Sequence, residues 1–157
     1  MYENLKGFVT TFASVQNKNR KELEEILGFS WGALAGGYRL YRLVEEVKLG
    51  QFEWCDKTHF SGGWHYDPSI KEFVQRQDEQ RWKFMQKHDY HAPKADKDFD
   101  IFMAGEMARL NVRSGPERIV KIKRNPAPGN PEFPDSKFRD IPQWKLTVEK
   151  TFQLIPH

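Results

Sequence analysis

Apolar and polar positions change their period several times along this chain, and each change marks an element. Tyr2, Leu5, Phe8, Val9 and Phe12 recur at three and four residues, which predicts a first amphipathic helix with Gly7 as its weak point. The polar run "SVQNKN" ends it. Asn19 and Glu22 then resemble a capping pair, and Leu23, Ile26 and Leu27 form the stripe of a short helix that stops at Gly28. Farther on, Gly36 and Gly37 would each weaken a helix by roughly 1 kcal/mol relative to alanine. That stretch therefore reads as a glycine-rich loop leading into a strand from Tyr38 to Val44.

The second half is more regular. Behind Pro68, Ser69 and Glu72 make an S-x-x-E capping box, and Ile70, Phe73, Val74, Phe84 and Met85 mark one side of a helix reaching Lys87. "HDYHAPKADKD" interrupts. Phe99, Phe102, Met103, Met107 and Leu110 outline another helix, which stops before "RSGP", and residues 118–123 read as a short strand. Five of the nine prolines fall between Asn125 and Pro142, a loop of a length that usually carries function in a compact domain. At the end, Trp144, Leu146, Val148, Phe152 and Leu154 alternate with polar residues, and only Lys150 interrupts the apolar side. Such alternation describes a strand with one buried and one wet face. The expected architecture is α+β: a single domain over residues 1–157, helical in its first two thirds and closed by antiparallel strands at the C-terminal end.

Composition narrows the function classes. With 157 residues, 38% hydrophobic and 30% charged, the chain reads as a globular domain able to build its own core. Aromatics reach 14%, and large rings bury much area per residue. A net charge of +3 is too small to argue for nucleic acid by itself, and the densest basic cluster, "RIVKIKR", reads as a solvated strand face. The one cysteine, Cys55, rules out an intramolecular disulfide and suits a reducing cytoplasm or a secreted protein that never relied on disulfides. No apolar run approaches the roughly 20 residues of a membrane helix, and no signal-peptide pattern opens the chain. The expected location is a cytoplasm, native or reached by delivery, with no membrane partner.

Several stretches carry candidate chemistry. "RKELEEILGFSWGALAGGYRLYRL" is similar to a helix-turn-helix, with Trp31, Gly32 and Ala35 facing the major groove, although Gly36 and Gly37 fall inside its recognition helix. His59, His65, His88 and His91, near Cys55, Asp56, Asp67 and Asp89, offer metal-ligand atoms of the kind a metal-dependent nuclease or hydrolase uses. Close cysteine pairs and the H-E-x-x-H helix of zinc sites are both absent. Cys55 beside His59 or His65 is a further nucleophile candidate.

"GYRLYRLVEEVKLGQFEW" resembles the opening strand of ADP-ribosyltransferase toxins, and "HFSGGWHYDPS" is similar to the Gly-Gly-x-Trp stretch of RES-type NAD-consuming toxins. The likeness spans about 35 residues. It implies NAD as substrate, cleaved by a glycohydrolase or ADP-ribosyltransferase. Arg42 would hold the dinucleotide's phosphate, with Arg39 as the alternative on the same strand. Ser61, Gly62 and Gly63 would line the nicotinamide end, and Trp64 or Tyr66 would stack on it. No E-x-E motif is present in the second half, so the carboxylate that steadies the developing ribose cation falls to Glu106, Glu117 or Glu149. Glu149 sits on the polar side of the last strand. Partners implied by this reading are a protein target or an inhibitor. Nucleic acid belongs to the helix-turn-helix alternative, and a Pro-rich loop beside a basic strand would suit an interaction module.

Overall fold

The computed structural model describes residues 1–29, 31–55, 69–88, 96–125 and 141–156, and leaves aside the side chains of 69–74 and 96. Its elements are β1 (Tyr2–Thr11), α1 (Phe12–Val15), α2 (Arg20–Leu27), β2 (Tyr38–Leu43), β3 (Phe52–Trp54), α3 (Ser69–Lys87), α4 (Asp96–Val112), β4 (Ile119–Arg124) and β5 (Trp144–Leu154). All described strand pairs are antiparallel, in the order β1-β4-β2-β5-β3. Because β1 also pairs with β5, strands β1, β4, β2 and β5 close into a ring. One edge of β5 runs along β1, while its other edge is shared between β3, where Leu146 faces Phe52, and β2, where Phe152 faces Leu43.

The architecture is α+β, but helices do not fill the first two thirds of the chain. Residues 2–11, which their spacing predicted to be helical, form β1. Tyr2 and Phe8, two of the five residues that suggested the helix, are 64% and 39% exposed, so they were never part of a buried stripe. The side buried is the alternate one, Leu5, Gly7 and Val9, facing Lys150, Leu146 and Trp144 of β5. Between the pairs Leu5↔Lys150 and Gly7↔Leu146, β1 spends one residue and β5 spends three, a bulge. Gly7 takes a φ of +97° there, which a side chain would oppose. The bulge pushes Val148 outward to 40% exposure, against the alternation. Lys150 stays inside and donates to the Glu46 carbonyl at 2.8 Å.

Two apolar clusters lie on opposite faces of the sheet. The larger joins Val9, Tyr41, Leu43, Ile119, Trp144, Leu146 and Phe152 to Phe84 and Met85 of α3 and to Phe99, Met103, Met107 and Leu110 of α4. The α4 spacing is that of one helical face. Trp144 sits at its centre, edge-on to Trp54 at 5.0 Å and to Phe84 at 5.1 Å. The smaller cluster sets Val15, Leu23 and Leu34 against Val120, with Leu40 and Ile122 beside them. Adjacent residues Ile119 and Val120 thus serve different cores, as alternation along a strand demands.

Helix α2 is bounded as its sequence predicts. Asn19 and Glu22 form a reciprocal capping box, and Gly28 ends the helix in the left-handed region at φ +75°. Past it the helix-turn-helix expectation fails, because residues 31–36 are turns and not a recognition helix. Glu24 explains why. Its buried carboxylate accepts the Gly32 amide at 3.0 Å and the Leu34 amide at 2.9 Å, folding this stretch back on α2 and burying Ala33 and Leu34. Among the described residues no helix is long and apolar enough to cross a membrane.

Candidate functional site

Arg42 lies near the end of β2, opposite Val120 of β4 on one side and Gln153 of β5 on the other. It shares the face of Leu40, not that of Tyr41 and Leu43, and is half-buried. The Gln153 side-chain Oε1 accepts from its Nε at 2.9 Å and from a terminal nitrogen as well, so one edge of the guanidinium is fixed by β5. Among the described residues the opposite edge has no partner for its donors.

Arg118, just before β4, stands beside it. The Arg118 main chain is pinned by the Phe12 amide, which donates to its carbonyl at 2.8 Å. Its guanidinium carbon lies 4.1 Å from the Phe12 ring centroid, a cation–π distance. Burial, and secondarily the charge of Arg42, pull the Arg118 guanidinium below its ordinary range. Its Nε is buried without a hydrogen-bond partner among the described residues. Neither arginine forms an ion pair there, although lysines elsewhere on the surface do. Two neighbouring guanidiniums without a carboxylate form a site with unmet demand for an anion.

The other predicted residues do not all converge on this place. Arg39 projects from the opposite face of β2, toward Glu3 and away from Arg42. Glu149 is exposed in the β5 bulge, four residues along the chain from Gln153. Glu106 and Glu117 are engaged elsewhere, Glu106 with Arg109 and His88 and Glu117 with Lys87 at 2.5 Å. Ser61, Gly62, Gly63, Trp64 and Tyr66 lie outside the described residues, as do His59, His65 and His91 and most of the proline-rich loop 125–142. Among the described residues no group of three or more His, Cys, Asp or Glu could hold a metal ion. Cys55 is fully buried, a setting that leaves a thiol inert as a nucleophile.

Three features had no clear signal in the sequence. Arg118 appeared only as part of a basic strand, and its place beside Arg42 depends on the β2–β4 register. His88 stood out only as a candidate metal ligand, yet its ring lies 4.4 Å from that of Phe84, and its Nδ1 is 3.0 Å from Glu106 Oε2. The pair clamps the end of α3 to α4. Last, a cleft of about 240 Å³ separates the β1–α1 corner from α3, lined by Thr11, Ser14, Gln80, Lys83, Phe84 and Lys87. Its two lysines are matched by Glu79 and Glu117, so it shows no comparable demand for an anion.

Set against family models, curated proteins and solved structures, the chain matches none.

Proposed function

We propose that the protein is a small toxin- or effector-like enzyme that consumes NAD, holding the dinucleotide's phosphates at Arg42 and Arg118. The observation that carries this reading is the arginine pair itself, half-buried, oriented by Gln153 and Phe12, and without a carboxylate among the described residues. A pyrophosphate offers oxygens on adjacent groups, which suits two planar donor forks side by side. Bringing two like charges together costs energy in the free protein, and an anion between them returns it.

Strand β5 supplies the second part. Gln153 and Thr151 alternate along the strand, and the exposed Glu149 follows them in the bulge, farther from the arginines. Cleavage of the nicotinamide–ribose bond leaves positive charge on the ribose carbon. Glu149 is the carboxylate in that bulge, and its role is to stabilise the charge through a ribose hydroxyl.

Purified protein should bind NAD by calorimetry and release nicotinamide. Arg42→Ala or Arg118→Ala should each weaken binding at least about tenfold, the worth of one charge-assisted hydrogen bond. Glu149→Gln should spare binding and abolish release. Wild-type protein that neither binds NAD nor releases nicotinamide would overturn the reading.

A further inference from the structure

The opposite face of the ring carries a separate cluster of charge. Arg39 faces Lys123 and Tyr41 faces Lys121 across the β2–β4 pairing, so all four side chains leave the same face of the sheet. Glu3 of β1 is the carboxylate that serves them. The Tyr41 hydroxyl donates to its Oε2 at 2.8 Å, and Lys123 pairs with its Oε1. Lys123 first and Tyr41 second hold the Glu3 carboxyl below the usual carboxylate range. Both of its oxygens are engaged.

Lys121 has no share in it. Its Nζ donates to the main-chain carbonyl of Phe8 at 3.2 Å, and among the described residues it forms no ion pair. The amine lies over Gly7, where a Cβ would stand 3.4 Å from it. A carbonyl dipole balances a full charge poorly, so a half-buried ammonium here is penalised. Burial lowers it from 10.5 to about 8. A sizeable fraction of uncharged amine is therefore present near neutral pH, and a neutral amine is a nucleophile.

We infer that Lys121 is a nucleophilic amine that captures a small oxo acid, with Arg39 and Lys123 attracting the carboxylate of that ligand. Even with Lys121 uncharged, Arg39 and Lys123 against the Glu3 carboxylate leave this face positive among the described residues, which favours an anionic electrophile over a neutral one. The nitrogen lone pair attacks the carbonyl carbon. A carbon–nitrogen bond forms, the carbonyl oxygen leaves as water with the two amine protons, and an imine remains. No oxidant or reductant is consumed. The site lies on the other face of the sheet from Arg42 and does not depend on NAD.

The test is to incubate the full chain with glyoxylate, trap the imine with cyanoborohydride, and locate carboxymethylated lysines by peptide mass spectrometry from about pH 6 to about pH 10. Lys121 should be labelled several-fold faster than the exposed Lys6 and Lys18 near pH 8. Its profile should level off there. Labelling of Lys121 no faster than Lys6 and Lys18 would overturn the inference. Lys123→Gln should slow the reaction with glyoxylate but not that with formaldehyde, which carries no charge. Equal effects on both reagents, or on neither, would overturn the assignment to an oxo acid. Retention of the far-ultraviolet dichroism of the wild type shows that the variant is folded.

Discussion

Replacing Glu24 with leucine would leave the amides of Gly32 and Leu34 buried with no acceptor. Each unmet amide costs about 1–3 kcal/mol, so the loss should be about 3 kcal/mol or more in urea denaturation. Glu24→Gln retains one oxygen acceptor and should lose less. A leucine variant as stable as the wild type would mean that the 31–36 turns do not depend on this carboxylate. The residue also shows where the sequence is opaque. In "KELEEIL", Glu24 looks like any acid on the wet side of a helix. Its burial at 3% exposure follows only from the return of residues eight and ten positions later. Arg118 is a similar case, because its significance comes from Arg42, which the β2–β4 register brings to its side. Arg42 itself stands out, with Arg39 as the alternative, only through the resemblance of "YRLYR" to the opening strand of ADP-ribosyltransferase toxins.

Between α3 and α4, the burial of His88 makes the junction sensitive to acid. Burial holds the folded-state pKa of His88 below 6.5, while Glu106 opposes that shift only in part. Between the folded value and 6.5 the unfolded chain therefore binds more protons than the folded one. Stability is full above about 6.5 and falls as pH drops through the ordinary histidine range. His88→Gln, which removes the titration and keeps a polar side chain, should flatten the dependence of Tm between about pH 7.5 and pH 5.5. An unchanged slope would assign the acid sensitivity elsewhere. At this scale the capped helix α2, the apolar stripe of α4 and the last strand were legible because each pattern is complete within its own segment. β1 was not. Its exposed Tyr2 and Phe8 mimic a helical stripe, and its partner strand lies some 140 residues away. What argued the other way was the β-branched run Val9-Thr10-Thr11, a preference that periodicity alone does not weigh.

The larger core takes side chains from Val9 through Phe152, so strands from both ends of the described chain depend on the same packing. Phe152→Ala removes a fully buried ring and should cost about 3–5 kcal/mol. The loss should appear at one denaturant midpoint in far-ultraviolet dichroism and in tryptophan fluorescence, with Trp144 and Trp54 reporting from the same cluster. Two separate midpoints would show that the ring and the helices unfold independently. The α+β class was legible from the sequence, and the closure of the ring was not, since no local pattern says which strand edges meet.

That closure sets the order in which the fold can be completed. The first strand finds most of its hydrogen-bond partners in the last, with Tyr2 opposite Gln153 and the Leu154 amide donating to the Met1 carbonyl at 2.9 Å. During synthesis β1 leaves the ribosome long before β5 and stays unpaired along most of its length until β5 emerges. Pairing across so long a loop is slow, because the chain loses its loop entropy before the contacts form. For that interval the nascent chain exposes an open strand edge to other chains, so the time spent before closure governs its yield as much as its final stability does.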